Sequence, residues 1–170
     1  MRHQWLLGGA VVLGVLLLGT TAKAVFDRDD HEADLDALAR MLIAETGFTS
    51  AKNEMAQIVF VAVNRARRNG KTLREVVTPP GTPTWNTGAL YRKRFVEATQ
   101  NPRFSAARAF VQDVLDGAYV NSGATSFIHP AGMPTPPCSS NRVEASTIAG
   151  VRCIPDWITK GRVVGSAMFA

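Results

Sequence analysis

The sequence predicts an α+β fold that is mostly α, and three observations carry that expectation. Apolar residues recur at three- and four-residue steps through 33–46. The run Ile58-Val59-Phe60-Val61-Ala62-Val63 is apolar on every side of a helix. After Gly117 the chain turns rich in Pro, Ser and Gly, with only short β-like runs.

The first helix covers 33–46, with Leu35, Leu38, Leu42 and Glu45 on one stripe, and it follows the acidic cluster Asp29-Asp30-His31-Glu32. Gly47 ends it. A second helix is expected over 51–68, with Ser50 as N-cap and Asn69-Gly70 as its close. Having no polar face at its centre, it belongs in the middle of the domain. Thr72-Leu73-Arg74-Glu75 has capping-box spacing and opens one or two turns. Residues 79–88, with three prolines and two glycines, read as a loop. Helices over 89–100 and 105–116 are closed by Asn101-Pro102 and Gly117. Thr125-Ser126-Phe127-Ile128 reads as a strand, 130–156 as a long disulfide-tied loop, and 162–169 as a terminal strand.

A chain of 170 residues has the length of about one domain and shows no repeat, so a single core is expected, acting as a monomer. With 46% hydrophobic and 19% charged residues it is not the composition of a disordered or nucleic-acid-saturating polypeptide. Met1-Arg2-His3, the uncharged run 5–22 and the tripeptide Ala22-Lys23-Ala24 form an export signal, with cleavage expected after Ala24. The uncharged run also reaches the lower length limit of a membrane span, so an anchor through residues 5–22 is the other reading. Either way the chain is exported, to the periplasm or cell envelope. Removing 1–24 takes two of the 19 basic residues and none of the 14 acids, leaving +3, a solubility charge or a weak attraction to an anionic envelope polymer. Cys138 and Cys153, both in the exported part, are expected to form a disulfide.

Glu45 is the most informative residue. It shares the stripe of Leu38 and Leu42, where a carboxylate is costly, and lies in the last helical turn, where the macrodipole disfavours negative charge. Both effects push its pKa upward, the tuning a general acid needs. The blander reading is a helix-end glutamate paired with Arg40 or Lys52. Glycoside hydrolysis normally needs two carboxyl groups. Glu54 sits on the next helix, Glu97, Asp113 and Asp116 lie on helices that read as peripheral, and Asp156 is in the late loop. One glutamate working alone fits lytic transglycosylation, in which the sugar's own 6-hydroxyl attacks and Glu45 serves first as acid and then as base. Trp85, Asn86 and Tyr91 offer the stacking faces and amide that carbohydrate sites use, against a packing role for each. His129 reads as a structural or substrate-contacting residue rather than a base.

Other chemistries find no foothold. The exported part has only His31 and His129, with no HxxxH or CxxC spacing, so no metal is expected. A G-x-S-x-G elbow, a P-loop and a G-x-G-x-x-G motif are all absent, and no cofactor is expected.

Leu38-Ala39-Arg40-Met41-Leu42-Ile43-Ala44-Glu45-Thr46-Gly47, then the apolar run 58–63 and Asn64-Arg65, resemble the cell wall hydrolase family of the spore-cortex-lytic enzymes (SleB type). The likeness continues through 106–117, Gly123-Ala124-Thr125-Ser126-Phe127-Ile128-His129-Pro130, Trp157, and Arg162-Val163-Val164-Gly165 with Phe169. It implies a lysozyme-like α+β fold over 25–170, peptidoglycan glycan strands as substrate, and Glu45 as the acid. The chain departs from that family in three places. Glu45-Thr46-Gly47-Phe48 stands where the family has Glu-Ala-Arg-Gly-Glu, Thr84-Trp85-Asn86 where it often has Gln-Phe, and Ala167 and Ala170 where it has histidine and tyrosine. Asn64 and Arg65 fit either a structural or a substrate-contacting role. The alternatives are a wall-binding or structural envelope protein on the same fold and, more remotely, an amidase cutting the stem peptide.

Overall fold

A computed structural model describes residues 28–79 and 88–170. The expected export segment (1–24) and Trp85 and Asn86 lie outside the described residues. The described chain is α+β, five α-helices followed by two small antiparallel sheets. Among the described residues no helix is long and apolar enough to cross a membrane.

Helix α1 (Arg28–Thr46) begins five residues before the expected start, because the acidic cluster continues the helix instead of preceding it. Acids suit the positive end of a helix, and here they also meet cations from other elements. Asp30 pairs with Arg74 at 2.7 Å, and Arg108 bridges Glu32 and Asp36. These pairs are largely exposed, each worth about 0–1 kcal/mol, so they set register more than stability. The stability of α1 comes from Leu35, Leu38, Met41 and Leu42, all buried.

Helix α2 (Lys52–Asn69) is buried from Glu54 through Val63, as its all-round apolar centre requires, and it touches α1, α3, α5 and the terminal sheet. Ser50 does not cap it. Ala51 occupies the N-cap without a side-chain bond, while Gly70 closes the far end in the left-handed region at φ +61°. Helix α3 (Leu73–Val77) carries the expected capping box: Glu75 N–H donates to Thr72 Oγ1, and Thr72 N–H donates to Glu75 Oε2. Buried Asp34 of α1 accepts a further bond from Arg74 N–H, tying α1 to α3. The expected helix over 89–100 divides into α4 (Ala89–Glu97) and a 3-10 turn (Ala98–Gln100), and α5 spans Phe104–Leu115. Helix α1 reaches all four other helices, so α1 and α2 together form the centre.

The β part is richer than the sequence pattern suggests. β1 (Phe127–Ile128) pairs with β5 (Ala167–Phe169), and β5 pairs with β4 (Arg162–Val164), all antiparallel. The expected single terminal strand is thus a hairpin, turning at Gly165-Ser166. The expected long loop contains a second hairpin, β2 (Arg142–Thr147) against β3 (Gly150–Pro155), with Cys138 bonded to Cys153 as anticipated. Ile154, Ile158 and Met168 form a small separate core beneath it, while Phe169 enters the main helical core.

Glu54 holds the terminal hairpin to α2. Its side chain is 1% exposed, and Oε2 accepts from Ser166 N–H at 2.5 Å and Ser166 Oγ–H at 2.9 Å. Gly165, at φ +60°, lets the backbone come this close, since a Cβ there would overlap the Glu54 carboxyl group. Oε1 is buried without a hydrogen-bond partner. Losing the clamp strands the Ser166 donors and opens a cavity, so Glu54→Ala is expected to cost about 1–3 kcal/mol, read as a lower urea midpoint. Gly165→Ala should shift the midpoint in the same direction, and an unchanged midpoint in both would refute the clamp.

Candidate active site

Glu45 sits where the core-facing stripe of α1 runs out. Leu38 and Leu42 on that stripe are fully buried, whereas Glu45 is half-buried. The helix ends abruptly after it. Thr46 Oγ1 donates to the Leu42 carbonyl at 2.8 Å and accepts from Phe48 N–H at 3.0 Å. Gly47 and Phe48 both take left-handed backbone, at φ +61° and +57°. Glycine does so freely, but phenylalanine bears a cost of order 1 kcal/mol. The Phe48 ring meets Phe110 edge-on at 5.8 Å, a contact that holds this turn in place.

The turn forms one wall of an open cleft of 530 Å³. Glu45, Thr46 and Gly47 face Arg94 and Glu97 of α4, with Gln100 and Asn101 at the end. Residues 94, 97, 98 and 101 follow the three- and four-residue steps of one helical face, a pattern present in the sequence but not connected there to Glu45. Glu97, read as peripheral, therefore shares a cleft with Glu45. Arg103 closes the Gly47 end, its Nη1 donating to the Gly47 carbonyl at 3.5 Å.

Two further groups feel the Glu45 charge. Burial pulls the Arg65 guanidinium below its ordinary pKa, and the Glu45 carboxylate opposes that shift. Burial pushes the Tyr91 hydroxyl well above its ordinary value, and Glu45 adds to the rise. Arg65 is thus a cation that feels the Glu45 carboxylate. Arg65 is itself held from behind, with Nε donating to the Thr125 carbonyl at 2.5 Å and Nη2 to Ser126 Oγ at 3.4 Å. Asn64 beside it donates to the Ala124 carbonyl at 2.8 Å. The Asn64-Arg65 pair thus anchors the segment leading into β1, and only Arg65 also bears on Glu45.

Tyr91 is drawn to the site but cannot offer a stacking face. Its ring is 3% exposed and its hydroxyl donates to the Val77 carbonyl at 2.9 Å. Tyr91→Phe is expected to lose about 0.5–1.5 kcal/mol of stability, measured by denaturant unfolding, and to leave substrate affinity unchanged. A large rise in KM at unchanged stability would return Tyr91 to a binding role. His129 does not line the cleft. It is half-buried beyond β1, its ring edge-on to Phe127 at 5.8 Å.

Among the described residues no three His, Cys, Asp or Glu side chains converge as a metal ion would require. Comparison with family models, with curated proteins and with solved structures finds no match to this chain.

Proposed function

We propose that the protein is exported and cleaves the glycan strand of peptidoglycan between N-acetylmuramic acid and N-acetylglucosamine, on a lysozyme-like fold, with Glu45 as the catalytic acid and base. The observation that carries this reading is the setting of Glu45: half-buried, at a helix C-terminus, in the wall of an open cleft, with Arg65 within electrostatic range. In the first step the Glu45 carboxyl protonates the glycosidic oxygen as the bond from the muramyl C1 breaks. In the second, the carboxylate takes the proton of the same sugar's 6-hydroxyl, whose oxygen closes on C1 to give a 1,6-anhydro ring. The Arg65 guanidinium stabilises the negative charge that Glu45 carries between the two steps.

Glu97 favours a second reading, hydrolysis, because a carboxylate in the same cleft is what a water-activating base requires. Wall binding without catalysis is the further alternative. The test is release of soluble muropeptides from purified peptidoglycan by the wild-type protein beside Glu45→Gln. Release by the wild type alone supports the proposal. Equal release by both, or binding without release by either, rejects it.

A further inference from the structure

We infer that Arg94 is a binding residue for a carboxylate of the muramyl unit, either that of the lactyl ether or that of the stem peptide. The inference rests on the peptidoglycan reading for the identity of its ligand and on the cleft for its geometry.

Arg94 lines the same cleft as Glu45 and is exposed. Two neighbouring groups could have consumed its charge, and neither does. Glu97, one helical turn onward, stands at a spacing that commonly forms an ion pair, yet the two form none. The Gly47 carbonyl is taken by Arg103 from the other end of the cleft.

The helix beneath Arg94 is rigidly seated. Tyr91 and Phe95 are buried on its inner face with their rings 5.8 Å apart, and Ala98 is buried one step further. Residues at 100° intervals fan out around such a helix, so of the three consecutive cations Arg92, Lys93 and Arg94 only the last shares the cleft face with Glu97 and Asn101. The guanidinium is therefore anchored at its backbone and free at its tip.

Such a cation offsets an acidic lining. Glu97 shares the cleft and disfavours an anionic strand, and every muramyl unit of peptidoglycan carries a carboxylate or a peptide bearing one. A planar guanidinium binds a carboxylate through two parallel N–H donors, which fixes orientation as well as charge. With the muramyl carboxylate held at Arg94, the glycan strand is registered relative to Glu45, and a neutral glucosamine polymer has no group to take that place.

The test measures binding of the full-length protein, in a Glu45→Gln background so that strands are not consumed. Three probes are used: intact peptidoglycan strands, strands stripped of stem peptide that keep the lactyl carboxylate, and neutral N-acetylglucosamine oligomers. Arg94→Glu is expected to weaken binding of at least one carboxylate-bearing probe by about tenfold or more, with Arg94→Lys retaining part of it and the neutral oligomers unaffected. A loss on intact strands alone assigns the stem-peptide carboxylate, a loss on stripped strands alone assigns the lactyl one, which is free only once the peptide is removed, and a loss on both assigns a site that takes either. Unchanged binding of both carboxylate probes, or an equal loss on neutral oligomers, overturns the inference. The readout is independent of turnover. If cleavage by the wild type fails while the Arg94 dependence holds, only the catalytic proposal falls.

Discussion

On the proposed function, Glu45→Gln is expected to lower the rate of glycan cleavage by about 10²–10⁴-fold while binding to peptidoglycan persists. The amide keeps the shape of the side chain at the end of α1 but can neither deliver nor take up a proton. The half-burial of Glu45 means that the substitution removes no core packing, so the fold should survive it. Glu45→Asp separates chemistry from position. It restores the carboxyl but draws it back by one methylene, and an effective molarity lost to a shift of about 1 Å predicts a defect of about 10²-fold. A Glu45→Gln protein that cleaves at the wild-type rate would place the acid elsewhere, with Glu97 the first candidate in the same cleft.

Converting Cys138 and Cys153 to serine costs about 3 kcal/mol of stability in the chain-entropy account of a loop of this length. For a domain of this size that is a melting temperature lower by about 6–12 °C. The loss should fall unevenly. The disulfide closes the segment that carries β2 and β3, whose own core is little more than Ile154, Ile158 and Met168, whereas the helices share a separate and larger core. Amide exchange is accordingly expected to quicken through residues 133–160 and to stay slow in α1 and α2. The cleft is built from α1, α4 and the turn after it, so cleavage at 25 °C should persist in the serine variant. Equal melting of the two proteins would show that the bridge constrains nothing the fold does not already hold.

The helices were legible because each carries its own periodicity. The buried centre of α2 follows from an apolar run with no polar face, and the capping box at Thr72 and Glu75 marks α3 within a residue. The β2–β3 hairpin was not legible, for a physical reason. Arg142-Val143-Glu144-Ala145-Ser146-Thr147 is exposed or half-buried throughout and packs little against the main core, so no alternation is imposed on it. Its turn at Ile148-Ala149 also lacks the Asn-Gly or Asp-Gly signature of tight hairpins. Residues 162–169 showed strand character, but the fold back at Gly165 depends on Glu54, a contact spanning 112 residues.

The candidate site divides in the same way. Glu45 stood out because a carboxylate interrupted an apolar stripe, a local signal. Arg94, Glu97 and the Arg65 guanidinium join it only through packing of α4 and of the segment before β1, and no local spacing in the chain links them to residue 45. Tyr91 shows the converse. Its aromatic ring suggested sugar stacking, but its place on the inner face of α4 buries it.

The most direct test of the central claim is the mass of the muropeptides released from purified peptidoglycan by the wild-type protein. A single glutamate acting as acid and then base predicts products ending in 1,6-anhydro-muramic acid, lighter by one water than the corresponding reducing-end sugars. Products with free reducing ends would contradict it, since they require an activated water and a second carboxylate, for which Glu97 lies in the same cleft.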